Sequence, residues 1–600
     1  MLCTMVACER RRPRSRLPQS PAPMTLRVPI GIEDFRKLRE GRLAYVDKSR
    51  LVCDLVDLAG VEVVLLPRPR RFGKSLNLSM LRWFFEKRDE DLSHLFEDLA
   101  VWSAGDAYRA HFQRHPVIFL TFKGIKAATF DACRTALHKS IQVLFDAHRY
   151  LLSDEGVSER EARDYRAVLD GTAGDEVHGR ALVDLSALLH RYHGEKVVIL
   201  VDEYDAPIHA GYVNGYPREI LDFFRAFFTE GLKGNPHLFK GVLTGILRVA
   251  RESIFSGLNN LRVYSLLHPR FATRFGFTAD EVEGLLERAG QRAWLDEVRA
   301  WYDGYVFGGE VIYNPWSVLC FIEDAEVGMA PQPHWLATSS NDVIKHVLEV
   351  RASRLQPAFE ALLAGEAVER VIDENVVLDA LDPDDDALWS LLVLAGYLRP
   401  EKHARGADGR DWYRLTIPNR EVRMVYADTF RRWMKARMQG HGADLDALTR
   451  ALLGGDAQSF ERQLQAFARN MLSYHDAGTR SPEHLYHGFV LGLLAVLEPA
   501  WRVRSNRESG AGRPDVMIAP AQAGQPGVLL ELKVARPGEK TLDAALAEGL
   551  AQIERRAYET ELHAAGATPV HAFAVAFDGK DVRVRMPDAA RRGGARGGAQ

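Results

Sequence analysis

Short apolar runs alternate with amphipathic helical patterns through the first half of this 600-residue chain. The strand-like runs are residues 62–66 (EVVLL), 116–122 (PVIFLTF), 196–201 (KVVILV) and 239–244 (FKGVLT). The helical patterns between them cover residues 75–85, 131–148 and 217–232. Short buried strands that alternate with helices predict an α/β fold, in which helices cover both faces of a mostly parallel sheet.

The chain outside this first domain, which we place at residues 25–275, divides into further segments. Residues 276–480 are predominantly helical in pattern, and no strand-like runs comparable to those above recur there. Residues 481–586 mix one helix, several short strands and a second helix, which predicts a compact C-terminal α/β domain. Residues 1–24 and 587–600 are expected to be a disordered basic arm and a frayed Gly/Arg tail. The arm lacks the apolar stretch of a secretory signal, and the alternative to a disordered arm is an extended gene start with Met24 as the true initiator.

Composition narrows the class of protein. Hydrophobic residues make up 46% and charged residues 26%, which is ordinary for a globular protein and excludes global disorder, collagen and coiled coil. Lys plus Arg number 78 against 81 Asp plus Glu, so the net charge of −3 argues against a uniformly basic nucleic-acid binder but permits a local basic groove. Five scattered cysteines without a CxxC pair, and no apolar run near the ~20 residues of a membrane helix, predict a cytoplasmic protein without a membrane partner.

The segment 67–75 (PRPRRFGKS) lies between the EVVLL run and a helical pattern, which is the setting of a phosphate-binding loop. In such a loop Lys74 reaches the β- and γ-phosphates of ATP, and Ser75 ligates Mg²⁺. The usual pattern has a glycine where this chain has Arg68, and a GKS triplet taken alone is common by chance. The residues expected at the nucleotide are Arg70, Arg71, Phe72, Gly73, Lys74 and Ser75.

A second motif strengthens the nucleotide hypothesis, because the strand-like segment 197–203 (VVILVDE) ends in two acids. Asp202 at such a strand tip can hold Mg²⁺ through water, and Glu203 can polarise an attacking water molecule. Acids at strand ends also serve as helix caps. The run 239–244 ends in Thr244, which is expected to contact the γ-phosphate, with an ordinary strand-end threonine as the alternative.

Six segments together resemble the AAA-ATPase-like family, over about residues 28–585. They are RVPIGIEDFRKLREGRLAYVDKSRLV, RPRRFGKSL, VILVDEYDAPI, LTGILRVARESIFSGLNNL, WYDGYVFGGEVIYNPWSVL and LTIPNREV. Members of this mostly bacterial family typically carry a nuclease-like C-terminal domain, and the first glycine of their phosphate loop is likewise replaced. The resemblance implies nucleotide and Mg²⁺ roles for Lys74, Ser75, Asp202 and Glu203. It leaves a homo-oligomer open, and the candidates for an arginine finger are Arg248, Arg251 and Arg262.

Two aromatic motifs of this family, WYDGY at 301–305 and YNPWS at 313–317, carry no chemistry that follows from their residues. Aromatic side chains around Gly and Pro most simply form a packed turn, which here would support the lid of the ATPase. A cage for a ligand is the alternative.

Two carboxylates and a lysine are expected to converge in the C-terminal domain. An antiparallel hairpin in which Asp515 faces Glu531 has its centre at residue 523, inside the turn AQAGQPG, and places the two acids within roughly 5 Å between their Cβ atoms. Lys533 follows Glu531 by two residues and therefore points to the same face of its strand. Such a set can bind a divalent metal such as Mg²⁺ and activate water for phosphodiester cleavage.

The order of elements and the D-x₁₅-E-x-K spacing resemble the PD-(D/E)XK nuclease superfamily over about residues 481–585. The resemblance suggests Gln552 as a polar residue that faces the site. Glu508 is either a further acid ligand or a surface glutamate. The basic side chains that could contact phosphates are Arg502, Arg504, Arg507 and Arg513.

The sequence therefore predicts a protein that binds ATP and Mg²⁺, hydrolyses ATP and couples a P-loop domain to a metal-dependent nuclease that acts on nucleic acid, with DNA favoured over RNA. The catalytic residues of this hypothesis are Glu203, Asp515, Glu531 and Lys533. A regulatory ATPase whose nuclease-like domain only binds nucleic acid or protein remains the alternative. The complete Asp515, Glu531 and Lys533 set favours cleavage, because a domain that only binds does not need all three.

Overall fold

A computed structural model describes most of the chain. The described residues are 26–246, 258–335, 352–363, 365–374, 376, 385–438, 444–471, 482–497, 500–505, 514–535, 540–555 and 559–587. The basic arm and the Gly/Arg tail beyond residue 587 lie outside them, as do Arg248, Arg251, Arg507, Glu508 and Arg513.

The first domain is built on a five-stranded parallel sheet in the order β2-β3-β4-β1-β5. Its strands are β1 (Val63–Pro67), β2 (Val117–Thr121), β3 (Val197–Asp202), β4 (Leu238–Gly245) and β5 (Leu261–Val263). Every residue of β1 and β3 is buried, as expected for strands covered on both faces. The four predicted strands and their parallel arrangement are confirmed, whereas the three-residue edge strand β5 was not predicted.

The described part of the first domain contains ten helices in addition to the sheet. They are α1 (Phe35–Glu40), α2 (Arg50–Val56), α3 (Lys74–Phe85), α4 (Ala100–Ser103), α5 (Asp106–Arg109), α6 (Phe130–Ala147), α7 (Glu159–Leu169), α8 (Asp175–His193), α9 (Ala206–Asn214) and α10 (Pro217–Leu232) among the described residues. Short 3₁₀ turns lie at Ser93–Leu95 and Arg149–Ser153. In the sheet register Leu66 pairs with Thr244 and Thr121 pairs with Asp202, so the carboxyl ends of the central strands lie at one edge. Ligands of open parallel sheets bind at that edge.

The middle region contains many helices, as predicted. Among the described residues they are α11 (Ala279–Arg288), α12 (Leu295–Tyr302), α13 (Pro315–Glu326), α14 (Ala352–Leu363), α15 (Asp385–Leu394), α16 (Arg420–Met438), α17 (Leu445–Leu453) and α18 (Ala457–Met471), with a 3₁₀ turn at Arg292–Trp294. A further 3₁₀ turn, Ala272–Arg274, lies at the end of the first domain.

Two small antiparallel sheets in the middle region correct the expectation that strands do not recur there. One pairs β6 (Tyr305–Phe307) with β7 (Glu310–Ile312), and the other has the order β8-β10-β9. The strands of the second are β8 (Val368–Val371), β9 (Arg399–Arg405) and β10 (Asp411–Thr416). Most of β9 is polar and exposed, so it has no apolar run by which the sequence could reveal it.

The C-terminal domain is a five-stranded mixed sheet in the order β11-β12-β13-β14-β15. Its strands are β11 (Trp501–Ser505), β12 (Val516–Pro520), β13 (Gly527–Val534), β14 (Val570–Asp578) and β15 (Asp581–Arg585). The helices are α19 (Pro482–Leu494), which continues as a 3₁₀ turn at Ala495–Leu497, α20 (Leu542–Arg555) and α21 (Glu559–Ala564). Strands β13 and β14 are parallel, and the other pairs are antiparallel. The predicted succession of elements is present, with α21 and β15 in addition.

One continuous apolar core joins the three regions, since it includes β1, α15 and α19, and β12 and β14. No helix in the described part of the chain combines the length and the apolar character needed to cross a bilayer. The domain boundaries given above remain predictions.

Candidate functional site

The segment after β1 forms a loop that leads directly into the N-terminus of α3. Gly73 precedes the helix with φ of +82°, a left-handed conformation in which glycine has no steric penalty. Its carbonyl accepts the first helical hydrogen bond, from Asn77 N at 3.0 Å. The N-terminus of α3 therefore lies at the ligand-binding edge of the sheet, where its unpaired N–H groups and dipole favour an anion.

Lys74 is buried inside this loop. Its Nζ donates to the carbonyl oxygens of Arg68 at 3.1 Å and Pro69 at 3.0 Å. Burial lowers the pKa of Lys74, and the nearby carboxylates of Glu203 and Asp202 partly offset that effect. The ammonium group thus lies where a phosphate bound by the loop would meet it.

Ser75, Asp202 and Thr244 come together at the ends of α3, β3 and β4. Ser75 Oγ donates to Asp202 Oδ2 at 2.6 Å, and Thr244 Oγ1 donates to Asp202 Oδ1 at 2.7 Å. Asp202 and Thr244 are buried. A serine hydroxyl beside a carboxylate is the oxygen donor set that Mg²⁺ prefers beside a nucleotide, so these residues fit that ion.

Glu203 follows Asp202 with φ of +50° and lines the same cavity as Lys74. Burial raises the pKa of Glu203, and Lys74 opposes that shift. A carboxyl group with a raised pKa is a suitable proton acceptor near neutral pH. The buried neighbour Asp205, to which no role was assigned from the sequence, accepts a hydrogen bond from Ile246 N at 2.7 Å and thereby holds the residue that follows β4.

A cavity of about 380 Å³ opens from the phosphate loop. One part of its wall is basic and includes Lys48, Lys123, Lys126 and Arg274 in addition to the loop cations. Another part is apolar and is formed by Pro29, Ile32, Tyr45, Val46, Phe277, Trp316 and Leu319. Several of these wall residues lie in the family segments 27–52 and 301–319, but sequence reasoning assigned none of them to the nucleotide site, because only the packing of distant segments brings them together. Trp316 belongs to the YNPWS motif, for which a ligand cage was the alternative.

Arg68 occupies the position of the usual glycine, but its side chain leaves the loop. The guanidinium is buried and donates to the carbonyl oxygens of Pro67 at 2.7 Å and Tyr264 at 2.9 Å. It also lies over the rings of Phe275 and Phe307, 5.2 and 5.5 Å from their centroids. Burial lowers the pKa of Arg68 to about 9. This arginine therefore fastens the loop to the segment after β5.

Restoring the usual glycine with Arg68→Gly is expected to destabilise the protein by about 3 kcal/mol or more, since buried carbonyls lose their donor and a cavity remains. The midpoint of urea unfolding measures this loss. Arg160→Ala is the matched control, because 84% of the Arg160 side chain is exposed. A midpoint for Arg68→Gly equal to that of the control would contradict the fastening role.

The aromatic motifs of residues 301–317 pack against two side chains of the phosphate loop, Phe72 and Arg71. The Phe72 ring contacts Tyr305 and Phe307 with 5.0 Å between ring centroids in both pairs. The Arg71 guanidinium lies 4.1 Å from the Trp316 ring centroid. The packed-turn interpretation accounts for Tyr305 and Phe307, whereas Trp316 also forms part of the cavity wall. Arg262, the described finger candidate, lies on the edge strand β5, where it pairs with Val64, and it is not among the residues that line this cavity.

In the C-terminal domain the hairpin register agrees with the predicted one. Val516 pairs with Leu530, and the same register, continued by one residue, places Asp515 opposite Glu531. Asp515 Oδ2 accepts from Leu532 N at 2.7 Å, so this carboxylate lies against the strand that carries Glu531. Lys533 Nζ lies 2.7 Å from Glu531 Oε1, and Glu531 is 1% exposed. The structure thus brings the three predicted residues together.

Helix α20 covers this site closely. A Cβ on Gly549 would lie 3.2 Å from Ala574 Cβ and 3.5 Å from Lys533 Cγ, so the glycine permits the approach. Gln552 lies three residues further along the same helix and is half-buried. One helical turn separates it from Gly549, which keeps it on the face that covers the site.

His487 of α19 is a residue that sequence reasoning missed. It is buried, and its ring hydrogen-bonds to the backbone of Asp515. Burial lowers the pKa of His487, while the Asp515 carboxylate opposes that shift. The only sequence signal was a single histidine within the apolar run YHGFVLGLL.

In the part of the chain that the structure describes, the donor set at this site consists of the carboxylates of Asp515 and Glu531. Among the described residues no group of three or more His, Cys, Asp or Glu side chains is arranged to hold a metal. Mg²⁺ commonly binds through one or two carboxylates and completes its coordination with water and substrate phosphates. Asp515 and Glu531 therefore fit a divalent cation that binds together with its substrate.

The two described arginines of the expected basic patch are engaged with acids. Arg502 Nη2 lies 3.5 Å from Glu297 Oε1, and Arg504 Nη1 lies 2.9 Å from Glu561 Oε1. A phosphate group that contacts these half-exposed arginines must compete with those carboxylates.

Comparison with known proteins identifies both regions. Residues 29–255 match the family described as a predicted AAA-ATPase, and residues 481–586 match the PD-(D/E)XK nuclease superfamily. A protein described as uncharacterized, in the vnfD 5′ region of Azotobacter chroococcum mcd 1, is 32% identical over 401 residues, which cover 66% of this chain and 68% of that relative. The chain belongs to the AAA-ATPase-like family and joins its ATPase-like region to a C-terminal domain of the PD-(D/E)XK nuclease superfamily.

Proposed function

We propose that the protein binds and hydrolyses ATP and that its nucleotide state controls phosphodiester cleavage in nucleic acid by the C-terminal domain. The observation that carries this proposal is the convergence of Asp515, Glu531 and Lys533 at a covered strand face, in a chain that also assembles Lys74 and Asp202 at a phosphate loop. A domain that only binds nucleic acid does not require that complete set.

In the ATPase domain the role proposed for each residue follows from where its side chain lies relative to the phosphate loop and its cavity. Lys74 and the N-terminus of α3 bind the phosphates, and the apolar wall near Trp316 receives the base. Ser75 and Asp202 hold Mg²⁺, which supplies charge neutralisation for the phosphates. Glu203 accepts the proton of the attacking water, for which its raised pKa suits it, and Thr244 contacts the γ-phosphate.

In the nuclease-like domain Asp515 and Glu531 hold the divalent cation, whose chemistry is to polarise the scissile phosphate and lower the pKa of bound water. Lys533, which is held against Glu531, places a positive charge beside the phosphoryl group as negative charge develops there. His487 fixes the backbone that carries Asp515, and α20 keeps bulk solvent from one side of the site.

The proposed substrate is DNA in preference to RNA, and the cleavage assay decides between them. Purified protein is incubated with single- and double-stranded DNA and RNA, with Mg²⁺ or Mn²⁺, and with ATP, ADP or no nucleotide. We expect metal-dependent cleavage whose rate changes with the nucleotide. If every substrate stays intact while ATP is hydrolysed, the protein is a regulatory ATPase with a binding domain, and the nuclease proposal is wrong.

A further inference from the structure

A buried carboxyl group lies between the two candidate sites and belongs to neither. Glu421 is in the first turn of α16 and is fully buried. Its Oε1 accepts a hydrogen bond from Trp335 N at 2.6 Å, and its Oε2 accepts one from Ser317 Oγ at 2.8 Å. Burial raises the pKa of Glu421 to about 8, so this group is mostly protonated at neutral pH. The ionisable groups that face it are Tyr302, Tyr305 and Cys320.

The family motifs that lack an assigned chemistry meet around this carboxyl group. Asn419 Nδ2 donates to the carbonyl oxygen of Asp303 at 2.7 Å. Gly304 packs so closely on Pro418 that a Cβ there would lie 2.2 Å from the Pro418 carbonyl oxygen. Asn314 Oδ1 accepts from the N–H groups of the first turn of α13, which carries Ser317. The motifs WYDGY (301–305), YNPWS (313–317) and IPNRE (417–421) therefore pack against one another, and we call this cluster of three motifs the joint.

The joint touches the nucleotide cavity through two aromatic contacts. Ser317 directly follows Trp316, whose ring lies on the Arg71 guanidinium of the phosphate loop. Tyr305 packs on Phe72 of the same loop. A ligand that displaces Arg71 or Phe72 therefore pushes on these aromatic side chains. Helix α13, which carries Trp316 and whose Ser317 donates to Glu421, then either moves or opposes the displacement.

On its other side the joint reaches the C-terminal domain through an ion-pair chain. Arg420, the neighbour of Glu421, pairs with Glu297 Oε2 at 3.1 Å. Glu297 Oε1 lies 3.5 Å from Arg502 on β11. Strand β11 pairs along its length with β12, which begins directly after Asp515. Helix α16 also packs on α19, whose His487 contacts the backbone of Asp515.

We propose that Glu421 is a positioning residue that couples nucleotide occupancy of the phosphate loop to the arrangement of the Asp515 site. This inference rests on the proposed function, because it requires that the cavity binds a nucleotide. Glu421 fixes α13 and α16 to each other, so a displacement at Trp316 is passed to Arg420 and Glu297 and from there to β11. The connection is a contiguous set of packed and hydrogen-bonded groups, which is the kind of path that can carry coupling.

Deuterium exchange of the full-length protein tests this coupling, with adenylyl imidodiphosphate and Mg²⁺ as the probe. Uptake is measured in peptides of β11 and β12 with and without the nucleotide. The variants are Glu421→Ala, Glu421→Gln and Glu297→Gln, and Asp296→Asn is the matched control because its side chain is 97% exposed. Glutamine is neutral and has the shape of the carboxyl group: its amide oxygen can accept from Trp335 N, and its amide N–H can donate to Ser317 Oγ, which reverses the direction of that hydrogen bond. It is therefore expected to restore what alanine removes.

We expect the nucleotide to change uptake in the wild type, in Glu421→Gln and in Asp296→Asn, and to change it little in Glu421→Ala and Glu297→Gln. The effect of the nucleotide on the cleavage rate is expected to fall about fivefold in the last two variants. If Glu421→Ala does not fold, Glu297→Gln carries the test.

A titration of the same nucleotide separates the two ways in which the proposal can fail. If the wild type binds the nucleotide but uptake in β11 and β12 does not change, the coupling is wrong and the proposed ATP binding stands. The same conclusion holds if Glu297→Gln and Glu421→Ala respond like the wild type. If the nucleotide does not bind, the proposed function fails first, and the coupling fails with it.

Discussion

Lys74→Ala is expected to abolish nucleotide binding and, with it, any ATP-dependent activity. Lys74 is a buried cation inside the phosphate loop, and its ammonium group donates to the carbonyl oxygens of Arg68 and Pro69. Alanine removes the charge that a buried triphosphate requires. We expect ATP affinity to fall by about two orders of magnitude or more, which corresponds to roughly 3 kcal/mol. Titration with a fluorescent ATP analogue measures this loss.

The matched control for this variant is Lys233→Ala. Lys233 is exposed and precedes β4, so it lies at the end of that strand opposite to Thr244. Removal of the Lys233 charge is expected to leave ATP affinity within about twofold of the wild type, because solvent and salt screen an exposed charge at the far end of the strand. Lys74→Ala is expected to unfold at a urea concentration close to that of the wild type, because removal of a buried charge offsets the loss of two hydrogen bonds to carbonyl oxygens, and alanine leaves no unpaired charge behind. Wild-type ATP affinity in a folded Lys74→Ala protein would remove the basis for a nucleotide site in this loop.

The sheets of both α/β domains were predictable because each buried strand is a short apolar run that can be recognised in its own stretch of sequence. Residues 62–66 and 196–201 are short apolar runs bounded by polar or turn residues, and β1 and β3 occupy nearly those positions. The hairpin register around residue 523 followed from arithmetic, because antiparallel pairing fixes which residues face each other once the turn is located. The convergence of Asp515 and Glu531 was therefore open to sequence reasoning.

The wall of the nucleotide cavity was not predictable in the same way. Lys48 lies in the family segment 27–52 but carried no assigned role, and Arg274 lies outside the quoted segments. Each is held at the cavity by an acid from a distant part of the chain. Lys48 pairs with Glu281, which is 233 positions away in the chain. Periodicity and spacing describe neighbours along the chain, whereas such contacts depend on how the domains pack. The direction of the Arg68 side chain could not be predicted for the same reason, because its guanidinium donates to the carbonyl oxygen of Tyr264, 196 positions away.

Exposed strands were missed for a different reason. Strand β9 (Arg399–Arg405) is almost wholly polar, since it forms the edge of a small sheet and faces solvent along most of its length. The apolar signal used for strands depends on burial, so a solvated edge strand gives none. His487 was missed because one histidine in an apolar helix is typical of a core position, and only the contact with Asp515 distinguishes it.

Asp515→Ala is expected to abolish metal-dependent cleavage while ATP binding and hydrolysis persist. The variant removes one of the two carboxylates that face each other across the β12 and β13 hairpin, and with it one of the two acidic donors that the described residues offer a cation. We expect the cleavage rate to fall by about three orders of magnitude, the scale on which removal of essential groups acts in hydrolytic sites. A fluorescent nucleic-acid substrate measures this change, and an ATPase assay on the same preparation shows whether the first domain is intact.

The stability of Asp515→Ala separates loss of chemistry from loss of fold. The variant gives up the hydrogen bond from Leu532 N, worth about 1 kcal/mol, but it also removes a negative charge beside the buried Glu531, which offsets part of that loss. The unfolding midpoint should therefore stay close to that of the wild type. Glu554→Ala is the matched control, since this acid is exposed on α20 and lies outside the site, and it should cleave at the wild-type rate. Cleavage by Asp515→Ala at that same rate would mean that the Asp515 and Glu531 pair is structural, and that any cleavage arises elsewhere in the chain.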